Sequence, residues 1–432
     1  MDEYPPLPGS HLQKSEEHDP PLPGASSSLE MIRTTDLEKL KLGQPSRKRR
    51  RARTTVVKAS IETFRQMVQE LTGAIQIEDK YLRTGLLPFV THCFLFPFNY
   101  EFTKEELVTL WIAEGLFQIM RVPISGQEFP EDVANEKFDL LVSMEIIVPS
   151  RTEQFVDFLN PKTRRSLYRV NKFGISSFER YESRCGYARI SGSELNDVPE
   201  TVLYLSVYGK SMDHMAFESM KRFKHLRTLF LIPAFGSSVK QVPRDLFLGL
   251  EHLRSMNLSK SLLCELPSSI GNLKSLRYID LSYTPIKQLP ETICNLHKLQ
   301  TLKLRGCFDL VGLPIGMRKL TSLRHLDLDI LRQLKSMPPG MGNLTNLQTL
   351  SAYLVGRDVC CGIGELKHIS NLKGVFCISR IENVLNFKEA MEASLIKKEH
   401  LRKLELRWTD IRVSLKKRKF LNNFNLLLAL KS

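Results

Sequence analysis

The sequence predicts an α/β solenoid of short parallel strands with irregular or helical returns, preceded by a small, mainly α domain and a disordered N-terminal region. Three observations support this prediction. Leucines recur at a nearly fixed spacing from about residue 202 onward, an earlier region carries helix-capping signals, and the first 60 residues are rich in proline, serine and basic residues. The predicted divisions are 1–60, 55–76, 84–190 and 200–432.

The C-terminal region is defined by a repeated LxxLxL unit. Its first leucines stand at 226, 253, 276, 299, 323 and 347, so the spacings are 27, 23, 23, 24 and 24 residues. An apolar residue followed by proline recurs in step with it, from Val242-Pro243 to Met337-Pro338. This period is typical of leucine-rich repeats, in which each unit adds one short parallel strand and one irregular return segment.

The residues between the leucines are predicted to form a binding face. The leucines point into the core, whereas the intervening residues stand on the concave face and are free to vary. One column of such residues is Phe230, Asn257, Asp280, Lys303, Asp327 and Ser351, and a parallel column is Ile232, Ser259, Ser282, Arg305 and Asp329. Mixed polar, charged and aromatic side chains suit recognition of a protein. A merely solvated face is the alternative.

The repeat becomes irregular toward the end of the sequence. It loses its pattern after Tyr353 and returns once at Leu401, Leu404 and Leu406. The last residues, NNFNLLLALKS, are apolar, and no polar cap that would shield a last core layer is visible among them. We therefore expect a truncated or frayed end of the solenoid.

A second folded unit is predicted at 84–190. Thr103 is expected to cap a helix, with Glu106 three residues on as in a capping box, and Gly115 stands where that helix would stop. A further helix is expected at about 132–144, followed by a short strand in EIIVPS. These signals predict a small, mainly α domain.

Two stretches of the sequence resemble one known family. CFLFPFNYEFTKEELVTLWIAEGLF, at 93–117, closely resembles the winged-helix part of the NB-ARC module in plant nucleotide-binding leucine-rich-repeat immune receptors. The repeats with their Leu-Pro marker, together with VFCISRIENV at 375–384, look like the leucine-rich region of the coiled-coil class of the same receptors. The resemblance implies a winged-helix domain followed by a leucine-rich-repeat domain.

The nucleotide switch of that family is not evident in the sequence. A phosphate-binding loop needs GxxxxGK[ST], whose backbone amides and lysine cradle phosphates, and no such string occurs. The family's Met-His-Asp sensor would fall where Val170, Asn171 and Lys172 stand. We therefore expect no nucleotide cofactor.

The ten residues FRQMVQELTG resemble FxxxVQxLTG, the motif that defines plant VQ-motif proteins. The matching residues are Phe64, Val68, Gln69, Leu71, Thr72 and Gly73. Members of that family are nuclear cofactors that bind the DNA-binding domain of WRKY transcription factors, so the resemblance implies the same partner here, with DNA contacted only indirectly. On a helix, Phe64, Val68 and Leu71 make a narrow apolar stripe that would be marginal alone. Packing on the chain's own winged-helix domain is the alternative.

A basic cluster precedes the motif and comprises Arg47, Lys48, Arg49, Arg50, Arg51 and Arg53. It lacks interleaved aromatic residues, so we interpret it as a nuclear import signal rather than a nucleic-acid surface. A solvated charge run is the alternative. The net charge of +15 favours acidic partners of some kind. The predicted location is the nucleus and the cytoplasm.

Enzymatic, metal-dependent and membrane-spanning functions are not expected. The ten histidines are scattered without the spacing of a metal site or a catalytic arrangement. The longest apolar run, at 86–98, is too short to span a bilayer. The eight cysteines, at 93, 185, 264, 294, 307, 360, 361 and 377, show no CxxC spacing and are interpreted as free thiols of a reducing compartment.

We therefore predict a non-catalytic interaction protein of plant defence. Its repeats would recognise a pathogen effector or a host regulator guarded by the protein, and its VQ segment would bind a WRKY transcription factor. One alternative is a degenerate receptor, once switched by ATP or ADP, that acts as a decoy or remnant. Another is a fusion made by misjoined exons between residues 75 and 90.

Overall fold

The computed structural model describes most of the two predicted folded regions. The described residues are 85–119, 129–154, 164–175, 185–191, 194–209, 214–233, 239–328, 334–384 and 387–408. The VQ motif at 64–73, the basic cluster at 47–53 and Asp329 lie outside these residues. The predictions made for them therefore stay predictions.

The described residues between 85 and 175 form a small helical domain with a two-stranded wing. Its helices are α1 (Leu87–His92), α2 (Lys104–Glu114), α3 (Leu116–Ile119), α4 (Pro130–Ser143) and α5 (Lys172–Ile175). Strands β1 (Ile147–Gln154) and β2 (Arg164–Val170) pair antiparallel, with Ile147 opposite Val170. This arrangement confirms the predicted winged-helix domain.

Helix α2 is fixed at both ends and buried along most of its length. The Thr103 hydroxyl accepts the backbone N–H of Glu106 at 3.2 Å, and Gly115 ends the helix in the left-handed conformation, with φ of 73°. Both predicted caps are confirmed. Trp111 packs edge-on against an aromatic ring of α1, with centroids 4.9 Å apart. All residues from 107 to 114 are buried, because α2 lies between α4 and the repeat sheet.

Helix α4 begins earlier than the sequence predicted. It starts at Pro130, rather than near residue 132. Proline suits the first turn of a helix because the backbone N–H that it lacks would have no partner there, and because its φ is already helical. Phe129, just before it, is extended and stands outside the helix. The start of α4 therefore presents Phe129 and Glu131 toward the repeats.

The C-terminal region is a solenoid of parallel strands, which confirms the predicted fold class. Eight strands form one sheet in sequence order: β3 (Tyr187–Ser191), β4 (Tyr204–Gly209), β5 (Thr228–Pro233), β6 (Ser255–Asn257), β7 (Tyr278–Asp280), β8 (Thr301–Lys303), β9 (His325–Asp327) and β10 (Thr349–Leu350). A second parallel sheet holds β11 (Ala352–Leu354), β12 (Gly374–Ser379) and β13 (Leu401–Arg407).

The return segments are mostly short 3₁₀ turns that follow the repeated prolines. Pro267, Pro290 and Pro314 stand directly before turns at Ser268–Asn272, Glu291–Asn295 and Ile315–Lys319. Proline suits this place because its φ is fixed and it needs no ladder partner. Helices α6 (His214–Met220) and α7 (Phe387–Glu392) occupy two other returns.

The core of the solenoid is a ladder of leucines. The six leucines that open the repeat unit are fully buried: Leu226, Leu253, Leu276, Leu299, Leu323 and Leu347. Burying one leucine side chain contributes roughly 1.5–3 kcal/mol. Each repeat buries its apolar face only against its neighbours, so the repeats stabilise one another.

The regular sheet breaks at Ser351. Strand β10 pairs with β9, whereas β11 pairs with β12. The Ser351 hydroxyl accepts the Leu328 N–H at 2.6 Å and donates to the Leu328 carbonyl at 2.5 Å. The sequence predicted irregularity only after Tyr353 and placed Ser351 in the binding column. In the structure its side chain instead replaces backbone bonds of the ladder.

Candidate functional site

The winged-helix domain packs on the concave repeat face, with contacts from β4 to Lys373. Tyr204, Phe230 and Tyr278 of the repeat strands belong to the same buried apolar cluster as the core of the winged-helix domain. The Phe96 ring meets Phe230 edge-on, with centroids 5.8 Å apart. The candidate site is therefore an interface within the chain, which we call the docking interface.

The predicted column of concave residues is in register. Phe230, Asn257, Asp280, Lys303 and Asp327 lie opposite one another on successive strands, as the leucine spacing implied. The expectation that these side chains are open to another protein does not hold for Phe230, Asn257 and Asp280, whose exposed fractions are 1%, 1% and 3%. The winged-helix domain occupies the space above them.

Charged residues of the two predicted columns pair with one another. Lys303 Nζ lies 3.5 Å from Asp280 Oδ2, and the Arg305 guanidinium donates to Asp327 at 3.2 Å. Burial alone would lower the pKa of Lys303, but the negative charges of Asp280 and Glu106 outweigh this effect, so the pKa is raised. These charged side chains thus form a paired network rather than a row of solvated charges.

The Tyr100 ring joins the winged-helix domain to that network, because Lys260 of the repeats lies over it. Tyr100 donates to Glu106 Oε1 at 3.0 Å, and Tyr278 donates to Asp280 Oδ2 at 3.2 Å. Lys260 Nζ lies 5.6 Å from the centroid of the Tyr100 ring. Burial raises the pKa of Glu106. These contacts place two acidic side chains, one from each domain, around Lys303.

A column of arginines, which the sequence reasoning missed, holds the end of α2. Arg254 Nη1 donates to the Glu114 carbonyl at 2.8 Å, and Arg277 Nη1 donates to the Ala113 carbonyl at 3.4 Å. The last carbonyls of a helix lack intrahelical partners and form the negative end of its dipole. Two cations at this end therefore favour docking of α2.

The same column holds the start of α4. Arg324 donates to both carboxylate oxygens of Glu131, at 2.8 and 2.6 Å, and His325 Nε2 lies 3.4 Å from the same carboxylate. Burial alone would raise the pKa of Glu131, but His325 and Arg324 outweigh it and lower the pKa to about 2. Lys373 Nζ stands 3.9 Å from the centroid of the Phe129 ring.

Two further titratable side chains are buried in the docking interface. Glu114 Oε1 accepts the Thr228 hydroxyl at 2.5 Å, and burial raises the pKa of Glu114. His92 Nδ1 is hydrogen-bonded to the Tyr187 hydroxyl at 3.0 Å, and burial lowers the pKa of His92 to about 3. The interface thus holds His92 neutral and disfavours the ionised form of Glu114.

The arginine column had a signal in the sequence. Each arginine follows the first leucine of its unit, in LRTLFL, LRSMNL, LRYIDL and LRHLDL. Repetition of one charge at one repeat position indicates a basic row on the sheet, which Gln300 of the unit LQTLKL interrupts. The sequence offered no comparable signal for its partners Glu114 and Glu131, because they belong to another domain.

Two other properties can be stated for the described ranges. Within them, no group of three or more histidine, cysteine, aspartate or glutamate side chains is placed to hold a metal ion. None of the helices described there combines the length and the apolar character that crossing a membrane requires.

The sequence matches three family profiles. They are a leucine-rich repeat region at 202–334 and 269–427, a disease resistance protein winged helix domain at 95–159, and a VQ motif at 51–74. The repeat match spans more than half of the chain. A solved leucine-rich-repeat protein of Leptospira interrogans, LIC12759, matches 52% of this chain and 72% of its own, at 17% identity and a TM-score of 0.33.

Curated relatives extend over both folded regions. The putative disease resistance protein RGA4 of Solanum bulbocastanum is 32% identical over 337 residues, which are 78% of this chain and 30% of the relative. The putative disease resistance protein At3g14460 of Arabidopsis thaliana is 33% identical over 332 residues, 73% of this chain and 22% of its own. The chain thus spans less than a third of the length of these relatives. It belongs to the leucine-rich-repeat proteins, and it carries a winged-helix domain of the disease resistance type with a VQ motif ahead of it.

Proposed function

We propose that the chain is a non-catalytic recognition protein of plant defence that binds two kinds of partner. The repeats bind a pathogen effector or a guarded host regulator, and the VQ segment binds the DNA-binding domain of a WRKY transcription factor. Similarity to disease resistance proteins of other plants and the VQ match support this proposal. The observation that carries it is the docking interface, because a solenoid whose concave face already binds one domain through paired charges is built for recognition.

The docking interface also suggests what a partner of the repeats must offer. Arg254, Arg277 and Arg324 now contact backbone carbonyls and a carboxylate of the winged-helix domain. A partner that takes the same face must displace these contacts and supply anionic or carbonyl oxygens in their place. We therefore propose an acidic protein segment as the partner of the arginine column, in competition with α2 and α4.

The WRKY part of the proposal is tested by pull-down with a purified WRKY domain. The wild-type chain is expected to retain the domain, and the double variant Val68→Asp, Gln69→Leu is expected to lose it. The matched control is Gln66→Leu, Met67→Asp, which makes the same two kinds of change at positions the motif leaves free. Equal retention by wild type and the motif variant would contradict the proposal.

Location in the nucleus and the cytoplasm is part of the same proposal. A fluorescent fusion of the full chain is expected in both compartments. Replacing the arginines and lysine of the cluster at 47–53 by alanine should remove the nuclear fraction, because the import receptor reads the positive charge. The control replaces the four basic residues at 416–419 by alanine instead and should leave the distribution of the fusion unaltered. Unchanged nuclear signal in the first variant would contradict import through this cluster.

A nucleotide-switched receptor remnant is the second candidate function. It is favoured by the similarity of the winged-helix and repeat regions to disease resistance proteins such as RGA4. Calorimetric titration of the purified chain with ADP tests whether a nucleotide switch survives in it. No heat of binding is expected for the recognition protein proposed here, whereas saturable binding would favour the receptor.

A further inference from the structure

Two adjacent cysteines form a pair of thiols at the rim of the solenoid. The Sγ atoms of Cys360 and Cys361 lie 3.8 Å apart, and both thiols are free. They belong to the short 3₁₀ turn Val359–Cys361 between β11 and β12. Cys360 is exposed, Cys361 is 9% exposed, and Val359 beside them is 93% exposed. The turn therefore offers one thiol to solvent with a second directly behind it.

Hydrogen bonds on both sides hold this turn in place. Gly356 N–H donates to the Cys361 carbonyl at 2.8 Å, and the buried Tyr353 hydroxyl donates to the Gly362 carbonyl at 2.7 Å. A Cβ on Gly356 would lie 2.5 Å from the Cys361 Cβ. The backbone thus packs too closely for the turn to rearrange freely. The two sulfur atoms are consequently held side by side rather than meeting by chance.

We propose that Cys360 and Cys361 are a reversible redox site, which hydrogen peroxide oxidises to a disulfide between the adjacent residues. The Cys360 thiolate attacks a peroxide oxygen, the O–O bond breaks, and water leaves after protonation, so that Cys360 becomes a sulfenic acid. The Cys361 sulfur then attacks the Cys360 sulfur, the S–O bond breaks, and a second water leaves. The two thiols lose two electrons, which the peroxide gains.

The roles of the two cysteines follow from their surroundings. Oxidation begins at the accessible thiol, which is Cys360. Burial, with Cys360, Asp358 and Glu365 nearby, raises the pKa of Cys361 to about 11, so Cys361 stays protonated and its proton leaves with the displaced hydroxide as water. Peroxide-sensing cysteines are often accessible thiols placed next to a resolving cysteine.

The disulfide is expected to be easily reduced. Adjacent α-carbons are about 3.8 Å apart across a trans peptide bond, which is shorter than the roughly 4.4–6.8 Å of ordinary disulfides. The resulting strain favours the dithiol. A small-molecule thiol should therefore restore both cysteines, with the electrons coming from its own oxidation to a disulfide.

Mass spectrometry of the peroxide-treated full chain tests the proposal. The peptide that holds both cysteines is expected to lose two hydrogens, to resist alkylation, and to recover both thiols after treatment with dithiothreitol. In Cys361→Ser the same peroxide should carry Cys360 on to sulfinic acid, because no resolving thiol remains. The control Cys264→Ser removes a different exposed thiol and should leave the oxidation of the pair unchanged. Equal sulfinic acid at Cys360 in wild type and Cys361→Ser would overturn the proposal.

Phenylarsine oxide provides a second readout that does not depend on oxidation. It condenses with two neighbouring thiols and releases one water. We expect binding at this peptide in the wild-type chain and at least tenfold weaker binding there in both Cys360→Ser and Cys361→Ser. Binding that survives in either variant would show that the two thiols do not act together, and would overturn the proposal as well.

Discussion

The contact between Glu131 and Arg324 is predicted to contribute more to docking of the winged-helix domain than any ordinary surface ion pair. The pKa of Glu131 is about 2, against an ordinary value of 4.5, although burial alone would raise it. At about 1.4 kcal/mol for each tenfold change in proton affinity, this difference corresponds to roughly 3 kcal/mol. His325 provides part of it, so Arg324→Ala should cost about 2 kcal/mol, as expected for a hydrogen bond to a charged group.

A double-mutant cycle measures the contribution of this pair directly. Native-state hydrogen exchange of amides in α4 gives the free energy of local opening for wild type, Glu131→Gln, Arg324→Ala and the double variant. We expect a coupling energy of about 2 kcal/mol. The matched control is Lys104–Asp139, an ion pair at 2.6 Å on the same domain with an aspartate side chain that is 68% exposed. Its coupling should stay below about 1 kcal/mol.

The pH dependence of docking has a defined sign. The pKa of Glu131 is lowered in the docked state, so its stabilising effect is fully present above pH 4.5 and is lost as the pH falls toward about 2. The difference in opening free energy between wild type and Glu131→Gln should shrink across this range. A coupling energy no larger than that of the control pair, or a difference that does not change with pH, would refute this account of docking.

Three further predictions concern the solenoid. Gly306→Ala should lower the free energy of unfolding by about 1–3 kcal/mol in urea titration, because φ of Gly306 is 69° and the added Cβ would lie 2.4 Å from Tyr283 Cδ1. Replacing Tyr283 by alanine as well should recover part of this loss. A loss of the same size in the Tyr283→Ala background would count against the clash. Leu299→Ala should lower the free energy of unfolding by about 2–5 kcal/mol, whereas Leu262→Ala, at an exposed position, should lower it by less than about 1 kcal/mol. Equal losses in the two variants would contradict the leucine ladder. Burial lowers the pKa of Lys398 to about 8 from 10.5. The free energy of unfolding should therefore rise between pH 8 and 10.5 in wild type, and less so in Lys398→Met. Identical pH profiles of the unfolding free energy in the two proteins would show that this lysine is not desolvated.

The solenoid could be predicted from the sequence because its information is local and repeated. A leucine every 23 or 24 residues fixes the strand, its inward face and its register, so that Asp280 was correctly placed beside Asn257 and Lys303. The caps of α2 were predictable for the same reason, since Thr103 and Gly115 act within one turn of the helix.

The docking interface could not be predicted in this way. Nothing near Asp280 in the sequence indicates that the winged-helix domain covers it, because the covering residues lie more than 150 positions earlier. The arginine column was visible as a repeated charge, but a basic row is compatible with solvent, a partner protein or another domain. Only the folded chain shows that Arg254 and Arg324 meet α2 and α4. Side chains that pair across domains carry no local signature.

Hydroxyl-radical footprinting of the full chain tests the central claim most directly, which is that the winged-helix domain covers the concave repeat face. Tyr278 and Tyr283 lie five positions apart in one repeat and are 0% and 41% exposed. The account predicts that radicals label Tyr283 and spare Tyr278 in wild type, and that Tyr278 becomes labelled when Arg324→Glu loosens the docking. Strong labelling of Tyr278 in the wild-type chain would contradict it.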